Sequence, residues 1–186
     1  LDRGMYGLDL VTVPEGLTKA EVRDLVAARV GFTPQVFDSL AHERVFLDSL
    51  GVSAPSAEGY LAPDSYEWLP GTAPEVVLRA MVERTMDRLK RVTTGCDSLP
   101  LGLDLHQVLT FASIVECEAM VDAERPMIAR VYLNRLQMGM RLQADPTVAF
   151  AHGWRPRSKL LFKHLTLDSP YNTYVRVGLP PGPICS

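Results

Sequence analysis

Apolar and polar residues alternate over Leu8-Asp9-Leu10-Val11-Thr12-Val13 before a turn at Pro14-Glu15-Gly16, and a period of two predicts a strand. Thr18 stands three residues before Glu21, the spacing of a capping box. Val22, Leu25, Val26 and Val30 follow at helical spacing, and Gly31 ends that helix. A second short helix is expected from Thr33-Pro34, carrying Val36, Phe37 and Leu40. Together these make a small αβ module. The run Gly51-Val52-Ser53-Ala54-Pro55-Ser56-Ala57 has the composition of a linker, which divides the chain into 1–53 and 54–186. Residues 58–67 are aromatic and turn-rich.

Pro74 to Val92 reads as an amphipathic helix with Val77, Leu78, Met81, Met86 and Leu89 facing inward. The stretch from Leu105 to Met120 is almost wholly apolar until Glu116, so a central helix is expected there. Another helix is expected from Ala123 to Met138, with Ile128, Val131, Tyr132 and Leu136 on one side and Gly139 as its stop. Met140 to Gln143 reads as a short strand, and Asp145-Pro146-Thr147 opens a short helix. The tail from Ser169 holds Pro170, Gly178, Pro180, Pro181, Gly182 and Pro183; an irregular segment is expected, with its last residues mobile. The fold class is α+β: a small αβ module followed by a mainly helical domain with short strands. The sequence holds no internal repeat, no signal-peptide pattern and no apolar run long enough to span a bilayer. It opens on Leu1-Asp2 and closes on Ile184-Cys185-Ser186, and reads as a piece lacking both ends.

Composition adds a packed core: 47% of residues are hydrophobic and 22% charged. A net charge of -3 excludes a nucleic-acid grip built on bulk charge. Residues 1–100 carry ten basic and fifteen acidic side chains, residues 101–186 nine and seven. The slightly basic second part suits an anionic polymer. Cys96, Cys117 and Cys185 are too widely spaced for a disulfide framework or a zinc motif, and Cys117 reads as core packing. His42, His106, His152 and His164 form no HExxH pattern, so no metal is expected. A Gly-rich phosphate loop and a GxSxG are absent too, and no organic cofactor is implied.

The candidate chemistry gathers in the second part. Ser113-Ile114-Val115-Glu116-Cys117-Glu118 places two carboxylates two positions apart, hence about 200° apart around a helix. They cannot act as a close pair on one face. Phe111, Ile114 and Val115 precede Glu118 on its side, and a carboxyl over an apolar stripe has the raised pKa of a general acid. Glu116 stacks on Leu109 and Ala112, so periodicity alone leaves the choice open. Asn134-Arg135 follows on the next helix, and Asp145 before Pro146-Thr147 is a natural N-cap. Tyr171-Asn172-Thr173-Tyr174 offers hydrogen-bonding groups and aromatic faces that suit sugar rings.

Several of these segments match one family in its order over residues 58–184. They are Glu58-Gly59-Tyr60-Leu61-Ala62-Pro63-Asp64-Ser65-Tyr66, Ala112 to Glu118, Val131-Tyr132-Leu133-Asn134-Arg135-Leu136, Gly139 to Thr147, Pro170 to Tyr174, and Gly178-Leu179-Pro180-Pro181-Gly182-Pro183-Ile184. The sequence resembles the YceG-like (MltG) endolytic murein transglycosylases, and residues 11–18 look like part of a LysM-like module. The resemblance implies a LysM-like module in 1–53 and a catalytic domain, cut short at its C-terminus, in 54–186. It assigns catalysis to Glu118, the second Glu of a Glu-X-Glu motif, and leaves Glu116 a structural role. Asn134, Arg135, Gln143, Asp145, Tyr171, Asn172 and Tyr174 become candidates for binding glycan or stem peptide.

The implied reaction cleaves the β-1,4 bond between MurNAc and GlcNAc of nascent peptidoglycan strands, forms 1,6-anhydro-MurNAc and helps end strand elongation. The implied partners are glycan strands and the cell-wall synthesis machinery. The implied location is the cell membrane, through a single-pass anchor in the full-length protein, with the catalytic domain on the extracytoplasmic side. Two alternatives stay open: a muramidase-type hydrolase pairing Glu118 with Asp145 or Asp64, and a non-catalytic peptidoglycan-binding fragment.

Overall fold

The structure is a computed structural model that describes residues 9–95, 98–156 and 158–186; Leu8 and Cys96, named above, lie outside them. The fold is α+β. Contacts divide the chain into two compact units, 1–91 and 92–186.

In the first unit, β1 (Asp9–Val13) pairs antiparallel with β2 (Asp64–Trp68), Val11 opposite Tyr66. Alternation buries Val11, Val13, Tyr66 and Trp68 on one face, while Thr12 and Ser65 share a 2.9 Å hydroxyl contact on the other. Helix α1 (Lys19–Val30) starts as expected: the Thr18 hydroxyl accepts from the Glu21 amide, and the Glu21 carboxylate accepts from the Thr18 amide. Gly31, at φ 89°, closes it in a left-handed conformation that suits glycine. Helices α2 (Pro34–Leu40) and α3 (Arg44–Ser49) follow, and α4 (Pro74–Thr93) completes the unit.

The segment read as a linker is packed. A boundary at 53/54 would cut through the β1–β2 sheet. Val52, Ala54 and Ala57 are buried, and the Arg44 guanidinium donates to the Val52 and Ala54 carbonyls. Short apolar side chains tucked under a loop gave that segment a linker's composition without a linker's exposure. Glu58, just beyond it, accepts from the Lys19 amide at the start of α1 (2.9 Å), and burial pushes its carboxyl up to about 7.

The second unit is built on α5 (Leu105–Glu118), α6 (Arg125–Gln137) and α7 (Asp145–Ala151). Asp104 and Gln107 form a capping box at the start of α5. The core joins Ile114, Val115, Tyr132, Leu142, Ala144 and Ile184 with Cys117 and Cys185. Burial along α5 is confined to Thr110, Ser113, Ile114, Val115 and Cys117, so the helix is less enclosed than its apolar composition predicts.

Three further expectations change in this unit. Met140–Gln143 is not a strand, and the described residues of the unit contain none. The Met140 amide donates to Arg135 O and the Gln143 amide to Thr173 O, and Gln143 itself sits at φ 53°, so no ladder can form. The tail is packed: Ile184 and Cys185 are fully buried, and the Ile184 amide donates to the Ser113 hydroxyl (3.0 Å). Cys117 does more than fill the core, because it is disulfide-bonded to Cys185. Among the described residues no helix is long and apolar enough to cross a membrane.

Candidate active site

Glu118 is the last residue of α5, half-buried beside the core. The Tyr132 hydroxyl on α6 lies close enough to its carboxylate to favour the charged form. One helical turn on, Arg135 donates to the Leu142 carbonyl, with its guanidinium carbon 5.9 Å from the Tyr132 ring centre. That bond turns the chain after α6 back toward α5.

Thr173 then fixes the next segment. Its hydroxyl accepts from the Ala144 amide (3.0 Å) and meets the Thr147 hydroxyl (2.8 Å), while its carbonyl accepts from Gln143. These bonds stitch the 142–147 segment to 172–174 and set Asp145 beside Tyr174, whose hydroxyl donates to Asp145 Oδ1 at 2.6 Å. Asp145 is therefore not the N-cap that its place before Pro146-Thr147 predicts. Ala144 holds that position without a side-chain bond, and the Asp145 carboxylate is turned to Tyr174.

The electrostatics follow from this packing. Burial raises the Glu118 carboxyl above its ordinary value, and the Asp145 charge adds to the rise; the nearby Tyr132 hydroxyl and the Arg135 charge oppose it. Burial, together with the neighbouring Glu118, raises the Tyr132 phenol. Burial, and then the bond to Asp145, pushes the Tyr174 phenol up to about 12. Both phenols thus stay protonated donors. Glu116 has a different environment: Arg125 Nη2 lies 2.7 Å from its Oε2 and 2.9 Å from its Oε1. The two carboxylates left open by periodicity are separated by their partners.

The other expected contacts divide. Arg135, Asp145 and Tyr174 gather around Glu118. Tyr171 is half-buried against Phe150, with ring centres 4.9 Å apart. Gln143 is exposed next to Asp145. Asn172 is fully buried, its amide nitrogen donates to Leu165 O (2.9 Å) and Leu167 O (2.8 Å), and its oxygen accepts from the Tyr174 amide (2.9 Å). With both donors and its oxygen engaged, it shapes the loop and has no side-chain donor to spare for a substrate. Asn134 is exposed, about 200° around α6 from Tyr132, and projects from another face. Sequence reasoning missed Tyr132. The available signal was a tyrosine on the buried side of α6, since a buried phenol usually finds a hydrogen-bond partner.

A cleft of about 480 Å³ runs along the first half of α5, lined by Leu103, His106, Thr110, Leu136 and Leu179 among others. It lies about two helical turns from Glu118, and the carboxylate cluster, not this cleft, defines the site. Among the described residues no group of three or more His, Cys, Asp or Glu side chains is placed to hold a metal.

The YceG-like family model matches residues 1–186. The chain belongs to the YceG-like family. Within it, the chain is 32% identical to the endolytic murein transglycosylase of Bacillus subtilis (strain 168), an alignment covering 95% of this chain and 52% of that protein. It is 30% identical to the endolytic murein transglycosylase of Streptococcus pneumoniae serotype 2 (strain D39), over 96% of this chain and 36% of that protein. The crystal structure of a yceG-like protein from Listeria monocytogenes superposes with a TM-score of 0.84 at 32% identity, covering 96% of this chain and 63% of the other. This YceG-like chain thus spans about half or less of the length of the two curated relatives.

Proposed function

We propose that this chain carries the catalytic centre of an endolytic peptidoglycan lytic transglycosylase, with Glu118 as its single acid-base residue. The observation that carries the reading is the setting of Glu118. It is a half-buried carboxyl with raised proton affinity beside the Tyr132 phenol, while its neighbour Glu116 is paired with Arg125. Protonated Glu118 donates to the glycosidic oxygen between MurNAc and GlcNAc as the C1–O bond breaks. The resulting carboxylate takes the proton from the MurNAc 6-hydroxyl as O6 closes on C1. The proton returns to Glu118, no water is consumed, and the product end is 1,6-anhydro-MurNAc. One group serves in sequence as acid and base.

Tyr132 and Arg135 orient the carboxyl, and Tyr171, Tyr174 and Gln143 are the side chains left to meet sugar or stem peptide. The substrate is the nascent glycan strand, and such cleavage ends strand elongation. Action outside the cytoplasmic membrane fits both the relatives' names and the Cys117–Cys185 disulfide, since disulfides persist in oxidising compartments. In the same reading the full-length protein is membrane-anchored, and the strand-helix start of the first unit belongs to a LysM-like module.

A hydrolase reading has one observation in its favour: Asp145 is close enough to act on the Glu118 proton, so a second carboxylate is at hand. Asp64, the other candidate, is engaged by Arg84 (2.8 Å) and Arg88 (2.7 Å) in the first unit. Asp145 is itself committed to Tyr174, which favours the transglycosylase. Mass spectrometry of glycan strands digested with the protein separates the readings. The expected products end in 1,6-anhydro-MurNAc. Reducing MurNAc ends would assign the hydrolase, and retention on sacculi without products would assign a binding module.

A further inference from the structure

The segment between Asp145 and Asp168 contains no acidic residue, yet carries Arg155, Arg157, Lys159 and Lys163 in a chain whose net charge is -3. Arg157 lies outside the described residues and plays no part in the geometry. At the tip of this segment the 3-10 turn Phe162–His164 presents Phe162 at 92% exposure, next to Leu161 at 51%. Lys159 and Lys163 are exposed on either side.

The tip stands on a built base. Trp154, itself 38% exposed, stacks on His152 (4.5 Å between ring centres) and meets the edge of His164 (4.9 Å). The Leu161 amide donates to His164 Nδ1 (3.1 Å), and His152 Nε2 donates to the His164 carbonyl (3.3 Å). These contacts hold Phe162 outward rather than letting it fold onto the unit.

We infer that the Trp154–Lys163 tip is a membrane-docking element: Phe162 and Leu161 enter the boundary of an anionic phospholipid surface, while Lys159 and Lys163 meet its phosphates. Charge complementarity selects this occupant, because apolar tips flanked by lysines are the composition of interfacial anchors, with tryptophan at the headgroup level. Two apolar side chains on one turn, with Trp154 beside them, fall far below the 20–30 or so residues a side of a stable protein interface. The element would hold the second unit against the membrane, and the inference does not depend on the glycan chemistry proposed above.

The test is flotation of the protein with vesicles of phosphatidylcholine alone and of phosphatidylcholine with phosphatidylglycerol. A parallel pull-down on purified sacculi is run with Phe162→Ser and with the double variant Lys159→Glu/Lys163→Glu. Thermal unfolding of both variants confirms that they fold. Binding to the anionic vesicles is expected, weakened by added salt and at least about tenfold weaker for neutral vesicles and for each variant. Brominated lipids should quench tryptophan fluorescence, and should not do so in Trp154→Phe. No binding to either vesicle, equal binding to both, or variants that bind like the parent would overturn the inference. So would variants that lose sacculus retention while keeping vesicle binding, which would reassign the tip to glycan.

Discussion

Glu118→Gln should abolish glycan cleavage while leaving the fold intact. The amide keeps the shape of the side chain and its place beside Tyr132, but it neither donates nor takes a proton under turnover conditions. General acid-base catalysis alone contributes about 10²–10⁴-fold, and here one residue serves both half-steps, so a loss at or beyond the upper end is expected. Stability should hold or rise slightly, because burial already disfavours the charged form. Glu116→Gln should behave in the opposite way. Cleavage should persist, and the loss of its partly exposed bridge to Arg125 should cost no more than about 1 kcal/mol. Turnover by both variants on the same glycan, with circular dichroism as the fold control, checks the pair. Near-normal turnover by Glu118→Gln would reverse the assignment.

Cys185→Ser should lower the unfolding free energy by about 2–4 kcal/mol. The bond to Cys117 closes a loop over a sequence separation of 68, and the chain-entropy account gives about 4 kcal/mol for a loop of that length. Against a total of about 5–15 kcal/mol, that is a large fraction. The loss should be local as well. Cys117 is the residue before Glu118, and the Ile184 amide donates to the Ser113 hydroxyl one turn earlier on α5. Freed from the bond, residues 178–186 should lose hydrogen-exchange protection before α6 does. Denaturant unfolding with and without reductant measures the first effect, and non-reducing peptide mapping should recover Cys117 and Cys185 in one linked species. Unchanged stability on reduction would show that packing alone holds the tail.

The helices were legible because their signals are local. The Thr18 capping box, the Gly31 stop and the apolar spacing of 74–93, 105–118 and 125–137 depend on neighbours within a turn or two. β2 was missed although Tyr66 and Trp68 alternate with Ser65 and Glu67, because five residues beside Pro63 and a turn-rich flank carry little periodic signal. What was hidden elsewhere depends on distant partners. The Cys117–Cys185 bond, the nearness of Tyr132 to Glu118 and the Thr173 contacts that carry Asp145 to Tyr174 join residues whose spacing carries no sign of the pairing. The same holds for Asn172. Its residue type suggested recognition, and only the placement of Leu165 O and Leu167 O shows that its amide is spent on the loop. Periodicity alone left Glu116 and Glu118 equal, and the resemblance chose Glu118; the Arg125 partner of Glu116 lies on the next helix, where no local pattern announces it.

In the proposed mechanism Glu118 is held as a proton donor by burial and by the charge of Asp145. Carbon-13 NMR titration of the Glu118 carboxyl, assigned by its absence in Glu118→Gln, measures this directly in the parent and in Asp145→Asn. The account predicts a value above the ordinary glutamate figure of about 4.3 in the parent and a lower one in Asp145→Asn. The descending alkaline limb of kcat/KM should move to lower pH with it. A parent value at or below the ordinary figure, or a rise on removing the Asp145 charge, would contradict the account.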